Sequence, residues 1–228
     1  MSNDFLQFCK SIAIHGASTK DYHKRYEILK ISGILERPNS EMSGVQCYDA
    51  QCNIQNLIKQ LKVISGKKNI NCDRCSLVNN EYLNLLSPNM KIIGAKGFTK
   101  EILEEEIHKY ISTKQELCNS CDHYIETIYE VEPHIFIDVD LLGYYGDANC
   151  KISSIPTTIM IYKNQFSLLG IVDFIGNSIL EVNQTMGHYT AYIRRSDNWE
   201  HHDDLKKKTR RVSSEQIINP HILIYVMM

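Results

Sequence analysis

Apolar residues near the start of the chain recur every three to four positions, the spacing of one face of an α-helix. Phe5, Phe8 and Ile12 follow this period, and Gly16 can end the helix that they predict. The period resumes after the glycine, so residues 3–35 predict two consecutive helices. The segment 53–64 has apolar residues at the same spacing and predicts a third helix.

A fourth helix is predicted where Thr99 precedes the sequence KEILEEEIHKYI. Threonine is a preferred N-cap residue, because its hydroxyl accepts a backbone N–H of the first turn. The acidic residues that follow Thr99 suit the positive end of the helix dipole.

The pattern changes after residue 120 to short runs rich in Ile, Val, Tyr, Phe and Thr, bounded by Gly, Asn or Pro, which are typical of strands. The predicted strands are EPHIFIDVDL, IPTTIMIYK, QFSLLGIVDFIG, HYTAYIRR and HILIYVMM. Ser213 and Gln216 have the spacing of a capping box and predict one short helix before the last strand. Helices first and strands later predict an α+β fold with an antiparallel sheet.

Composition describes an ordinary globular protein. The 228 residues are 43% hydrophobic and 23% charged, and the formal net charge is −2. This balance gives no argument for binding nucleic acid or an anionic membrane, so we expect neither partner. No apolar run is long enough to span a bilayer, and the N-terminus does not resemble a signal peptide. We therefore expect a cytoplasmic or nuclear location, in a reducing compartment.

Two Cys-x-x-Cys pairs carry the strongest chemical signal: Cys72 with Cys75, and Cys118 with Cys121. This spacing lets both sulfurs of a pair reach one ion from a tight turn, and four thiolates close a tetrahedral zinc site. Such a site is structural, because no coordination position stays open for water. The sequence therefore predicts one structural zinc ion per chain.

The other four cysteines are unpaired in sequence: Cys9, Cys47, Cys52 and Cys150. Each is interpreted as a buried small apolar residue rather than a nucleophile. Cys9 falls on the apolar side of the first predicted helix, where burial raises the pKa of a thiol and leaves little thiolate.

The segment GHYTAYIRRSDNWEHHDD, residues 187–204, predicts a hairpin with its turn at Arg195–Asn198. Pairing across this turn brings Asp203 within reach of the His188 ring, where an acid fixes the tautomer and orientation of an imidazole. An ordinary polar hairpin and a metal site are the alternatives. Adjacent His201 and His202 point to opposite faces of a strand, so at most one of them can join such a site.

The same stretch resembles the C-terminal His box of ubiquitin-specific proteases, which are papain-like cysteine peptidases. The resemblance rests on GHYTAY, on W-x-x-x-D-D and on a final apolar strand, and it extends over the preceding strands and the two Cys-x-x-Cys pairs. It implies a single α+β domain over 1–228 with the family's partial thumb helices, zinc-bearing fingers and antiparallel β palm. The thumb portion would be 1–66, the fingers 67–130 and the palm 131–228.

The resemblance also implies roles for individual residues. His188 would be the general base that takes a thiol proton, Asp203 would orient His188, and Asp204 would be a second supporting acid. Gly187 would leave room for the tail of the substrate. The implied partner is ubiquitin or a ubiquitin-like protein, and the implied chemistry is thiol-dependent hydrolysis of the isopeptide bond after its C-terminus.

Two positions depart from the family pattern. The nucleophile of the family lies in a Gly-Asn-Thr-Cys box, and the chain contains none, so we expect that the nucleophile preceded Met1 and that the chain as it stands is inactive. His202 replaces the aromatic residue before the two aspartates. The alternatives are a non-catalytic ubiquitin-binding module and a zinc-stabilised interaction domain.

Overall fold

The structure is a computed structural model that forms two compact units, residues 1–63 and 64–228. It describes residues 4–15, 19–35, 38–42, 45–48, 54–112, 115–118, 120–140, 149–175, 188–203, 205–206 and 208–228. No helix in this part of the chain is long and apolar enough to cross a lipid bilayer.

The described residues of the first unit form three helices and one hairpin. The helices are α1 Asp4–His15, α2 Thr19–Ile31 and α3 Ile54–Gln60, and strands β1 Pro38–Met42 and β2 Val45–Tyr48 pair antiparallel. The two predicted helices of residues 3–35 are confirmed. The third helix is shorter than the predicted 53–64, because the chain turns at Lys62, whose φ is 52°.

Cys9 corrects the interpretation of the unpaired cysteines. It lies on α1 as predicted, but its side chain is exposed instead of buried. Surrounding protein atoms still remove part of the water around its sulfur, and this desolvation raises the pKa of the thiol. Cys9 is therefore an accessible thiol that favours its neutral form.

The second unit begins with a four-stranded antiparallel sheet. Its strands are β3 Gly66–Asn71, β4 Val78–Leu83, β5 Gln115–Leu117 and β6 Tyr124–Val131, in the order β4-β3-β6-β5. Gly66 is required where β3 meets β6, since a Cβ there would lie 2.6 Å from the carbonyl oxygen of Glu130.

Two helices, α4 Met90–Lys96 and α5 Lys100–Ile111, connect β4 to β5. Thr99 caps α5 as predicted, because its hydroxyl accepts the backbone N–H of Ile102 at 3.4 Å. Leu103, Ile107 and Ile111 on one face of α5 are buried in the main core.

A seven-stranded antiparallel sheet forms the rest of this unit. Its strands are β7 His134–Asp138, β9 Thr158–Ile161, β10 Asn164–Ile175, β11 His188–Arg195, β12 Asn198–His202, β13 Arg210–Val212 and β15 Pro220–Met227. The order is β13-β12-β11-β10-β15-β7, and β9 also pairs with β10. A separate small sheet pairs β8 Cys150–Lys151 with β14 Ile217–Ile218. The predicted α+β class with antiparallel sheets and the five predicted late strands are confirmed.

The prediction of a short helix from Ser213 and Gln216 is wrong. The chain makes a turn there, in which the Ser213 hydroxyl accepts the N–H of Glu215, two residues on. The Gln216 side chain donates to the carbonyl of Ile217 instead of reaching back to residue 213. The capping-box reciprocity is therefore absent, and the chain continues directly into β14.

Candidate metal centre and histidine–aspartate site

The four cysteines of the two Cys-x-x-Cys pairs converge at one end of the four-stranded sheet. Their sulfurs all lie within 4.8 Å of one another. The Sγ atoms of Cys72 and Cys121 are 3.5 Å apart, as are those of Cys75 and Cys118. A tetrahedron with zinc–sulfur bonds of 2.3 Å has edges of about 3.8 Å, so this arrangement fits one zinc ion.

The surroundings of the cluster also suit thiolate ligands. Cys72 and Cys118 are buried with Ile70 and Ile125 in a small apolar core. The backbone N–H of Cys75 leads the contacts that lower the pKa of the Cys72 thiol to about 7. The predicted structural zinc site is therefore supported, and the described residues contain no other group of three or more His, Cys, Asp or Glu able to hold a metal.

His188 and Asp203 meet as the hairpin pattern predicts. Residues 188–195 and 198–202 pair antiparallel across a two-residue turn at Ser196 and Asp197, and Asp203 follows the last residue of β12. The His188 Nε2 atom lies 2.8 Å from Asp203 Oδ1. The imidazole is 28% exposed and the carboxylate only 6%, so the pair stands at the boundary between sheet and solvent.

Three donors surround the Asp203 carboxylate. Oδ1 accepts the backbone N–H of Leu205 at 3.1 Å as well as the His188 ring, and Oδ2 lies 3.0 Å from Lys206 Nζ. The His188 hydrogen bond, followed by that of Lys206, lowers the pKa of Asp203 to about 2. Because an ionised carboxylate only accepts, His188 Nε2 must carry the hydrogen, which makes Nδ1 the basic nitrogen of the neutral ring.

A buried aspartate, Asp173 of β10, lies on the same face of the sheet as His188, opposite the residue two positions further along β11. Ile175 of β10 is the register partner of His188, and Asp173 is that of Thr190. Asp173 Oδ1 accepts the backbone N–H of Asn219 at 2.6 Å, and Oδ2 is 3.4 Å from the Thr190 hydroxyl. Burial raises the pKa of Asp173. The residue joins the ends of β10 and β11 to the start of β15, and so fixes the strand that begins at His188.

His201 lies two residues before Asp203, on the same face of the chain. Its ring stacks on Tyr192 with centroids 4.6 Å apart, and its Nδ1 accepts from Arg210 Nε at 3.3 Å. Burial, and then the Arg210 charge, lower the pKa of His201. The neutral imidazole therefore packs two residues before Asp203 without adding a charge beside it.

A second histidine, His221, packs against Tyr189 and Phe174, whose side chains point to the face of the sheet opposite His188. His221 is buried, stacks on Phe174 at 5.0 Å, and has Nδ1 3.5 Å from the hydroxyl of Tyr189. Its Nε2 lies 3.5 Å from an Asp140 oxygen. Sequence reasoning missed His221 and Asp173, since only the sheet brings them to this end of the strands. It also missed Lys206, although this residue lies three positions after Asp203 and had a local signal.

The remaining candidates have separate outcomes. Gly187 and Asp204 lie outside the described residues, as do the side chains of Cys47 and Cys52, so the interpretation of these two cysteines as buried residues stays a prediction. His202 is half-buried, and its Nε2 lies 3.6 Å from Glu200 Oε2. The contact of His188 is with Asp203, not with His202. Cys150 is half-buried, and burial raises the pKa of its thiol to about 11, in agreement with the prediction of an unreactive packed cysteine.

Fold and site define an α+β protein with antiparallel sheets, a four-cysteine metal centre and a His–Asp pair whose imidazole is partly exposed. No protein-family model matches the chain, and no curated protein matches it. Solved structures of the SAGA deubiquitinating module are similar to it over part of its length.

The Ubp8/Sgf11/Sus1/Sgf73 module of SAGA is 14% identical, with a TM-score of 0.44, over 73% of this chain and 38% of the other. The yeast SAGA module with an Sgf73 mutant is 15% identical, with a TM-score of 0.44, over 78% and 46%. A module with a Ubp8 variant bound to monoubiquitin is 15% identical, with a TM-score of 0.42, over 77% and 46%. The chain thus spans less than half of each, and scores at this level establish no family.

Proposed function

We propose that the chain is a domain of the ubiquitin-specific protease type that binds the C-terminal tail of ubiquitin or a ubiquitin-like protein beside His188. The observation that carries this proposal is the 2.8 Å contact between His188 Nε2 and Asp203 Oδ1. It adds an oriented imidazole to a chain whose order of cysteine pairs, strands and His box resembles that family.

The pair has the arrangement that thiol hydrolysis needs. Asp203 holds the hydrogen of His188 on Nε2, so Nδ1 can take a proton from a thiol. The imidazolium that results is stabilised by the charge of Asp203, whose pKa of about 2 keeps it ionised at neutral pH. In this proposal His188 is the general base and Asp203 is the residue that orients it, while Asp204 keeps the role that the resemblance implies.

The proposed chemistry also needs a thiolate, and none of the eight cysteines of the chain stands in a Gly-Asn-Thr-Cys sequence. Four of them form the metal centre. Of the other four, Cys9 and Cys150 have raised pKa values and favour the neutral thiol, and the side chains of Cys47 and Cys52 lie outside the described residues. We therefore propose that the chain by itself binds its partner without cleaving it.

A second observation supports a partner protein. Five large apolar side chains of the four-stranded sheet are exposed: Val78, Tyr82, Leu117, Tyr124 and Ile128. The register places all five on one face, because Tyr82 is opposite Lys67, Lys67 is opposite Glu130, and Leu117 is opposite Tyr124. A grouped apolar surface of this kind marks an interaction site, and we propose that it contacts the globular part of the same partner.

The same surface favours a second candidate function, a zinc-stabilised interaction domain in which His188 has no role. The two candidates differ in what the tail of the partner contributes. Only a domain that uses the His188 end of the sheet requires the C-terminal tail of ubiquitin.

Calorimetric titration of the zinc-loaded chain with ubiquitin, and with ubiquitin lacking its C-terminal tail, tests the proposal. We expect intact ubiquitin to bind, and we expect loss of the tail to weaken binding at least about 10-fold. His188→Trp should weaken the binding of intact ubiquitin and leave that of tail-less ubiquitin unchanged, because a larger ring replaces the imidazole beside which the tail is proposed to bind. The control His202→Trp changes a neighbouring histidine on the other face of β12 and should have a much smaller effect.

Turnover is measured in parallel with a fluorogenic amide on the ubiquitin C-terminus. We expect no hydrolysis above background by the chain alone. Fusion of a segment containing Gly-Asn-Thr-Cys should create an activity that alkylation abolishes and that His188→Ala lowers by orders of magnitude. Equal binding of intact and tail-less ubiquitin would favour the interaction domain. Absence of binding would contradict the proposed function, and hydrolysis by the chain alone would contradict the proposed inactivity.

A further inference from the structure

Strand β4 lies at the edge of the four-stranded sheet, and in the described part of the chain no strand pairs with its outer side. Every residue from Val78 to Tyr82 is exposed. Proteins usually protect such an edge with lysine, proline or a bulge. This stretch contains neither lysine nor proline, and its pairing with β3 runs without a break from 78 to 83.

The register identifies which backbone groups point away from the sheet. The N–H of Cys72 donates to the carbonyl of Leu77 at 2.9 Å, so this facing pair is of the hydrogen-bonded type. The two types alternate along an antiparallel ladder, which makes residues 79, 81 and 83 the ones bonded to β3. Val78, Asn80 and Tyr82 therefore direct their N–H and C=O groups outward.

This outward pattern is complementary to itself. With a two-fold axis at Asn80, the Asn80 residues of two antiparallel β4 strands face each other, and Val78 of one copy faces Tyr82 of the other. All three facing pairs are of the hydrogen-bonded type, since all three residues direct their backbone groups outward. Val78 and Tyr82 are 68% and 64% exposed, and they would meet as a β-branched and aromatic cross-strand pair.

Charge is compatible with the same register. Asn79 of one copy would face Glu81 of the other on the reverse side of the sheet, so no like charges are opposed. Glu81 lies 4.0 Å from Lys68 within its own copy. The opposite edge is a poorer candidate, because β5 has three residues and β4 has six.

We propose that β4 pairs antiparallel with β4 of a second copy of this chain about a two-fold axis at Asn80, joining two four-stranded sheets edge to edge. The pairing does not rest on the proposed function, because it uses the outward backbone groups of the sheet edge, although Val78 and Tyr82 also belong to the exposed apolar face. A contact of one strand from each copy is at the small end of specific interfaces, so we expect a dissociation constant on the order of 100 µM.

Sedimentation equilibrium of the zinc-loaded full chain, from about 10 µM to about 1 mM, tests the pairing. We expect a reversible monomer–dimer equilibrium. Asn80→Lys and Asn80→Asp each place like charges directly opposite one another at the axis, so each variant alone should dimerise at least about 10-fold more weakly. An equimolar mixture of the two places lysine opposite aspartate and should restore the dimer.

Leu117→Lys is the matched control, because it adds the same charge to an exposed residue of the opposite edge and should leave the dimer unchanged. The zinc content of every variant shows whether the sheet is intact. A zinc-loaded chain that stays monomeric at 1 mM overturns the proposal. So does a dimer that survives both Asn80 substitutions, or one that the mixture fails to restore.

Discussion

Asp203 is the residue on which the His–Asp site depends. Its carboxylate has three donors, the His188 ring, the Leu205 N–H and the Lys206 ammonium. All three favour the ionised form, and together they hold the pKa of Asp203 near 2. The carboxylate therefore remains charged at any pH at which an imidazole can act as a base.

The lowered pKa of Asp203 predicts how the stability of the protein depends on pH. An aspartate titrates near 3.9 in an unfolded chain, so its favourable contacts contribute fully above about pH 4 and are lost as the pH falls toward 2. We expect Asp203→Asn to lower the free energy of unfolding at pH 7. The difference from the wild type should shrink as the pH drops below about 4, measured by chemical denaturation at pH 3 to 7.

Asp197 provides the comparison on the same hairpin. Its carboxylate lies 3.2 Å from Arg194 but is 97% exposed, and exposed ion pairs contribute little. Asp197→Asn should change the free energy of unfolding only slightly across this range. A constant difference between wild type and Asp203→Asn down to pH 3 would contradict the assignment of the lowered pKa to the folded state.

At the scale of elements, the two sheets of the second unit differ in how much core supports them. Near the cysteines, the four-stranded sheet has a small buried cluster, Ile70, Cys72, Cys118 and Ile125. The seven-stranded sheet belongs to a core that includes residues from α4, α5, β7, β9, β10 and β15. The stability of the smaller sheet near the cysteines therefore depends on zinc binding, whereas the larger sheet is stabilised by its own core.

Zinc removal should act on one sheet selectively. We expect purified protein to contain about one zinc ion per chain, measured by elemental analysis. A chelator should increase amide hydrogen exchange in β3, β5 and the Cys-x-x-Cys turns, while amides of β10 and β15 stay protected, because zinc binding supplies folding energy only where its ligands lie.

Two serine variants test which cysteines hold the ion. Cys118→Ser removes a buried ligand and should abolish stoichiometric zinc. Cys150→Ser changes a half-buried cysteine that is not part of the cluster and should retain one zinc ion. Global loss of protection on chelation, or normal zinc content in Cys118→Ser, would refute this arrangement.

At the scale of the whole molecule, the main core draws on residues far apart in sequence. Leu86 forms a bridge to Ile137, Ile107 comes from α5, and Leu168 comes from β10; all three are almost fully buried. The long strand β10 is the centre of this arrangement, since it pairs with β9, β11 and β15. We therefore expect the side chains on the buried face of β10 to supply most of its contribution to the free energy of unfolding.

Two neighbouring leucines on β10 test this statement. Leu168 is 1% exposed and Leu169 is 46% exposed, because successive strand residues point to opposite faces. Leu168→Ala should lower the free energy of unfolding by about 2–5 kcal/mol through lost burial and a cavity. Leu169→Ala should cost less than about 1 kcal/mol in the same urea titration. Comparable losses for both would show that the assigned face is wrong.

Sequence reasoning found the helices and strands that bury one apolar face, and it missed the strands β3 and β4, whose sequences are mostly polar. The late strands alternate apolar and polar residues, and α5 has both a cap and an apolar stripe, so each leaves a local signal. Strands β3 and β4, GKKNIN and VNNEYL, have no such alternation. They are strands because the sheet and the cysteine cluster hold them, which no local pattern records.

The sequence by itself determined the antiparallel α+β class, the four metal ligands and the pairing of His188 with Asp203, because each follows from spacing between nearby residues. Only the tertiary structure decided which distant groups complete the site. Asp173, His201 and His221 take their roles from strands that approach one another across the sheet, and their burial sets their pKa values. Desolvation and cross-strand contacts depend on the packing of the whole chain, so a local pattern cannot encode them.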